Sequence, residues 1–157
     1  MTKSIIYLYS YHHMNTKKIG DAIAGKINAK IIELNNSELN ELETYDLIGF
    51  GAGIDSGKHY SKMLKFAENI PNVSNKKAFL FSTSGVYTTK KMLKDHKALK
   101  TILENKGFKI IGQFSCKGYN TNSVLKYFGG MNKGCPNDED IKNAEIFGKN
   151  CNYSVTS

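Results

Sequence analysis

Between Ser10 and Thr16 the chain reads Ser-Tyr-His-His-Met-Asn-Thr, placing serine and threonine hydroxyls, two imidazoles and a carboxamide within one short corner. The corner opens on an apolar, aromatic run and closes on helical spacing. Three chemistries suit such a set: a metal or nucleophile site, a cradle for a phosphate, and ordinary turn formation. Adjacent histidines such as His12 and His13 point apart on extended backbone, and no carboxylate lies near them in sequence, so a metal is disfavoured. A helix N-terminus presents unpaired amides and the positive end of its dipole, which suits an anion. Ser10, Asn15 and Thr16 add hydroxyl and amide donors, and Thr16 also has the chemistry of a helix cap. The glycines and lysine of a nucleoside-triphosphate loop are missing, as is the glycine fingerprint of a dinucleotide fold.

Three further polar clusters follow apolar runs: "GAGIDSGKHY" (51–60), "STSGVYTT" (82–89) and "CKGYNTNS" (116–123). All are rich in Gly, Ser, Thr and Tyr. Ligands of open parallel sheets bind beyond the carboxyl ends of the strands, where the strand order reverses. The concentration of polar residues after strands, and not after helices, predicts that one edge of a sheet holds a ligand.

The elements that would position these loops are legible as periodicity. Strands are predicted at 4–10, 30–34, 46–51, 76–82 and 108–115, most of them nearly continuous in apolar residues, as strands covered on both faces are. Helices are predicted at 16–28, 58–69, 90–105 and 138–150. Gly107 is placed to end the third, and Asp138, Glu139 and Asp140 open the last, where acidic groups complement the dipole. His96 falls on or near the core face of the third helix. "SELNEL" (37–42) suggests a short helical turn. This alternation predicts an α/β fold: one domain spanning 1–157, with a five-stranded parallel sheet and helices on both faces. The irregular stretch 116–137 is long enough to suggest a functional or partly helical segment.

With 157 residues, 40% of them hydrophobic, the chain is predicted to build a real core. No apolar run approaches a membrane span, and the N-terminus reads as a core strand and not a signal peptide, so a cytoplasmic protein without a membrane is expected. Cys116, Cys135 and Cys151 form no CxxC pair and read as reduced thiols, Cys116 as a small buried apolar residue. The net charge of +8 is spread along the chain without a basic block. A solvated basic face is the expectation, with no nucleic-acid partner.

The corner with Ser10, Asn15 and Thr16, the segments "YDLIGFGAGIDSGKHY" and "FLFSTSG", and the tail "GGMNKGCPNDEDIKNAEIFGKN" resemble the flavodoxin family, the tail a small branch of it. The resemblance covers nearly the whole chain. It implies a sheet in the order 2-1-3-4-5 and non-covalently bound FMN. It also implies that Ser10, Asn15 and Thr16 hold the phosphate. Ile54, Asp55, Ser56, Gly57 and Lys58 would lie against the flavin ring, and Ser82, Thr83, Ser84 and Gly85 would approach its pyrimidine edge. Tyr87 would stack on the ring, and Lys117 and Gly118 would complete the set.

Two departures from the family pattern stand out. Met14 holds the place of the usual glycine, in a loop one residue longer, which makes His12 or His13 a candidate phosphate donor. Asp55 stands where an aromatic residue is expected, so His59 or Tyr60 becomes the substitute.

The resemblance implies an electron carrier in which the flavin does the redox chemistry. Gly57 would let the Ser56–Gly57 or the Gly57–Lys58 peptide rotate, so that a carbonyl accepts the proton gained at N5. Lys58 would favour a negatively charged reduced ring, and the basic surface suggests an acidic redox partner. Two other readings remain open: an FMN-dependent oxidoreductase passing electrons from NAD(P)H to a quinone or other small acceptor, and a flavodoxin-like binding domain without cofactor.

Overall fold

The structure, a computed structural model, describes residues 2–11, 14–34, 39, 42–118 and 132–157. Five strands form a parallel sheet: β1 (Ser4–Tyr9), β2 (Lys30–Glu33), β3 (Leu47–Asp55), β5 (Lys76–Ser84) and β6 (Phe108–Lys117), in the order β2-β1-β3-β5-β6. This is the predicted order 2-1-3-4-5 with one addition. A two-residue strand, β4 (Lys58–His59), folds back antiparallel on the end of β3. The main helices are α1 (Asn15–Ile27), α2 (Ser61–Glu68), α3 (Thr89–Asn105) and α4 (Asp138–Thr156). A 3₁₀ turn spans Leu42–Thr44, while the rest of the predicted "SELNEL" turn, apart from Leu39, lies outside the described residues.

Strand alternation sorts the core into two halves. Ile5 and Tyr7 of β1, Ile48 and Phe50 of β3 and Leu80 of β5 pack with Met63, Ala67, Leu99 and Leu103 of α2 and α3. Ile6, Leu8, Phe79 and Phe81 face the other way, against Ile19 and Ile23 of α1 and Ala144 and Cys151 of α4. On that second face β3 carries Gly49 and Gly51. A β-carbon at either would overlap the ring of Phe79 or Phe81. The two phenyl groups on β5 thus fill the space that β3 vacates.

The same device corrects the predicted length of the third strand. The sequence pattern ended it at Gly51, but pairing continues through Gly53, opposite Thr83, and the strand runs to Asp55. Glycine weakens a strand because it brings no side chain. Here the rings of Phe81 and Tyr60 cover Gly51 and Gly53. Residues 51–60 are consequently a strand end and a tight hairpin instead of a loop, and α2 starts at Ser61, not at residue 58.

Candidate functional site

The carboxyl ends of β1, β3, β5 and β6 meet at one edge, and hydrogen bonds stitch the described residues there together. Thr16, the second residue of α1, bonds to Thr83 of β5 through their hydroxyls at 2.9 Å. Gly118, just past β6, donates its amide to the Ser84 carbonyl at 2.9 Å. A β-carbon on Gly118 would stand 2.6 Å from Asn15 Nδ2, so glycine is what lets the β6 end approach α1. Asn132 Nδ2 donates to the Gly85 carbonyl at 2.7 Å. Ser84 Oγ donates to the Val86 carbonyl at 2.6 Å and shapes the turn that follows β5.

The start of α1 has an unusual cap. Its N-cap residue is Met14, in the left-handed region at φ 55°, and no side chain at that position accepts a hydrogen bond. Thr16 is therefore not the cap, because its hydroxyl is already paired with Thr83. Ser10 reaches back to accept the Lys17 amide at 3.3 Å. No acidic residue occupies the first turn. A helix end so arranged favours an external anion. His12 and His13, the other candidates here, lie outside the described residues.

The opposite wall is the hairpin between β3 and β4. Asp55 pairs with Lys58 across Ser56 and Gly57, whose φ values of 53° and 79° make this a primed turn. Asp55, Ser56, Gly57 and Lys58 are exposed and Ile54 is partly buried. Tyr60 lies over Gly53 and meets Tyr9 and Tyr11 edge-on, at 5.8 and 6.2 Å between centroids. Burial first, then Asp55, Tyr9 and Tyr11, pushes its phenol above the usual range. The aromatic rings that lie near Asp55 are Tyr60 and, edge-on to it, Tyr11.

Beneath this hairpin is a polar cluster that the sequence did not announce. His59 and His96 are fully buried, with ring centroids 4.7 Å apart. His59 Nε2 lies 3.2 Å from the Phe81 carbonyl, which can only accept, so Nε2 carries the hydrogen. His96 Nε2 is 2.7 Å from Ser82 Oγ, and its Nδ1 is 3.1 Å from Gln113 Oε1. Ser82 Oγ donates in turn to Ser115 Oγ at 2.9 Å. Next to His96 on α3, the buried Asp95 is paired with Lys91. Burial, reinforced by His96, holds His59 down to about 3. Burial likewise holds His96 down to about 4, against the opposing pull of Gln113 and Asp95. Both rings are neutral at pH 7.

The candidate residues thus divide. Ser10, Asn15, Thr16, Thr83 and Gly118 gather at the α1 corner, and Ile54 to Lys58 form the facing hairpin. The Ser82 side chain is committed to the interior, not to the open edge. His59, offered above as a ring substitute, is sealed below the hairpin. Tyr87 and Lys117 line a cleft of about 330 Å³ with Phe114, Cys116, Cys135 and Asn143. Cys116 is buried, and its thiol is pushed far up by burial. Only a period-2 reading of "FSTSG" carried a signal for the interior cluster, since it sends Ser82 and Thr83 to opposite faces.

Comparison with known proteins places the chain in a family. A family profile described as a flavodoxin domain matches residues 6–151. An uncharacterized protein of Methanocaldococcus jannaschii is 48% identical over 147 residues, 94% of this chain and 96% of that protein. A flavodoxin from the domain Archaea superimposes with a TM-score of 0.74 at 18% identity, over 99% of both chains. The Fusobacterium nucleatum flavodoxin bound to flavin mononucleotide superimposes with a TM-score of 0.67 at 16% identity, over 98% of this chain and 99% of that one. With a doubly wound sheet in the order β2-β1-β3-β5-β6 and polar loops gathered at its carboxyl edge, the chain belongs to the flavodoxin-domain family.

Proposed function

We propose that this protein binds FMN non-covalently and carries single electrons between proteins. The observation that carries the reading is the α1 corner: a helix start with no side-chain cap at Met14, ringed by Ser10, Asn15, Thr16 and Thr83. These residues fit a phosphate monoester. They offer amides and neutral donors, and no carboxylate in the first turn repels it. Gly118 keeps the space beside Asn15 free of a side chain.

Bound FMN supplies the one-electron chemistry. The chain supplies the rest. The α1 corner holds the phosphate tail. The Asp55–Lys58 hairpin and the Ser84–Tyr87 loop border the ring, with Tyr60 and Tyr11 as aromatic neighbours. Gly57, already at positive φ, would tolerate a peptide rotation that presents a backbone carbonyl as an acceptor toward the ring. The rim suits contact transfer to a partner protein. Tyr11, Met14, Val86 and Tyr87 are exposed there, at 40% or more of their surface. The net charge of +8 and the exposed Lys58 and Lys117 favour a partner with an acidic face. We place this exchange in the cytoplasm. No helix among the described residues is long and apolar enough to cross a membrane.

The test is a visible spectrum of the protein as purified, followed by titration of the cofactor-free protein with FMN. Stoichiometric uptake with quenched flavin fluorescence is expected, and a protein that takes up none would overturn the reading. One observation favours a second reading, an oxidoreductase with its own small acceptor: the cleft beside Tyr87 and Lys117 has room for one. Steady NAD(P)H oxidation by the loaded protein, without a partner reductase, would select it.

A further inference from the structure

The cluster under the hairpin has places for a proton that it does not carry at neutral pH. Ser82 spends its own hydrogen on Ser115, so it accepts from His96 Nε2. The other nitrogen of His96 faces Gln113 Oε1, also an acceptor. A protonated His96 ring satisfies both contacts as they stand. A neutral ring requires the Gln113 amide to turn its NH₂ toward Nδ1. Beside it, His59 donates from Nε2 to the Phe81 carbonyl, which leaves Nδ1 a buried acceptor with no hydrogen-bond partner. The unmet demand of the pair is thus for a proton, and both rings are fully buried.

This pair is built into the floor of the proposed flavin site. His59 belongs to β4, directly after Gly57 and Lys58, and pairs with Ile54 of the same hairpin. Asp95, which precedes His96, lies so close to the turn that a β-carbon on Gly57 would stand 3.9 Å from its Oδ1. Ser82 and Ser115 sit side by side near the ends of β5 and β6.

We propose that the His59–His96 pair binds a proton about tenfold more tightly once the last electron from a one-electron donor protein leaves a negative charge in the adjacent flavin site. The two side chains then act as positioning and proton-holding residues that set the pH dependence of that reduction. This rests on the FMN reading. The electron goes to the bound flavin and the proton, where bound, to an imidazole nitrogen, so the charge of site and floor together is then unchanged. Among the described residues, few other charges act on the pair. His59 feels His96 across from it on α3, with the carbonyl of Phe81 on β5. His96 feels Asp95 and Lys91 on its own helix, the neutral Gln113 and Ser115 of β6 and Ser82 of β5. Lys91 is already paired with Asp95, so a new negative charge nearby is left for the rings to answer. Across about 10 Å of protein interior, such a charge strengthens proton binding roughly tenfold.

The experiment follows the imidazole ¹⁵N resonances of the wild-type protein between pH 5 and 7, in three forms: cofactor-free, FMN-loaded, and FMN-loaded after reduction with dithionite. Neutral rings are expected in the first two forms. An imidazolium pattern at His59 or His96 is expected in the third, at the acid end of the range. In parallel, reduction potentials are titrated against pH for wild type, His96→Gln and His59→Gln. The wild-type potential of the last step should rise as the pH falls, by at most the tenfold gain in proton binding, about 59 mV for one electron. The variants should flatten that slope. Rings that stay neutral on reduction, or variants with the wild-type slope, overturn the proposal while leaving FMN binding intact. Failure of the wild type to take up FMN overturns the reading on which it rests. The ring resonances need no variant, so the test survives misfolding of either substitution.

Discussion

Ser82 and Thr83 are neighbours on β5 and meet opposite fates. Thr83 faces α1 and joins Thr16 at a corner where the N-cap residue, Met14, offers no side-chain cap. Ser82 faces α3 and closes a sealed network with His96 and Ser115. Side chains alternate across a strand, so a single step along the chain separates a wall open to ligand from a wall closed to water. The two walls obey different energetics. At the α1 corner Thr16 and Thr83 are themselves buried, but solvent reaches the half-buried Ser10 and the exposed Met14, where a ligand can replace water. Closed-wall groups have only each other, and any change leaves a buried polar atom unsatisfied.

Acid should produce the largest contrast. The folded-state values of His59 and His96, about 3 and 4, lie below the ordinary 6.5. The unfolded chain therefore binds more protons between these limits. The stability that the neutral rings confer is complete above about pH 6.5 and is lost as the pH falls toward 4 and then 3. Each ring contributes a slope of up to about 1.4 kcal/mol per pH unit. Urea unfolding of the cofactor-free protein at pH 7, 6 and 5 measures it. His96→Gln should remove part of the slope, and an unchanged profile would mean that the ring is not buried as described.

The next contrast sets one substitution on each wall. Asn15→Asp puts a carboxylate in the first turn of α1, where it suits the dipole but repels a phosphate. FMN affinity should fall by about 1.5–3 kcal/mol, roughly ten- to hundredfold in Kd, while stability holds or rises. Ser82→Ala leaves a buried histidine without its partner and should cost about 1–3 kcal/mol of stability, with a smaller effect on affinity. Fluorescence titration and urea unfolding of both proteins distinguish the walls. The opposite pattern would show that the open and closed assignments are reversed.

The smallest effect belongs to the exposed hairpin. Lys58→Met removes a cation from the proposed ring border and should make the last reduction step harder by about 1 kcal/mol, or about 40 mV. A potential unchanged within a few millivolts would place Lys58 away from the ring.

Much of this was legible in the residues. The apolar runs located all five parallel strands, and the capping box of Asn137 and Asp140 starts α4 where the acidic residues predicted. Thr16 was misread as a possible cap because hydroxyls before a helical pattern usually cap it; here Met14 takes that position and Thr83 claims the hydroxyl. β3 was cut short because Gly51 and Gly53 look like breakers. Phe81 and Tyr60 supply from elsewhere the packing that those glycines lack.

By itself, the sequence determined the alternation of strands and helices and the concentration of polar residues after strands. Both are local properties, written in periodicity and composition. Only the tertiary structure decided that His59 would meet His96, that Ser82 would turn inward, and that Gly118 would close on Asn15. Those contacts join residues far apart in the chain. They depend on which helix covers which face of the sheet, and no local pattern encodes that.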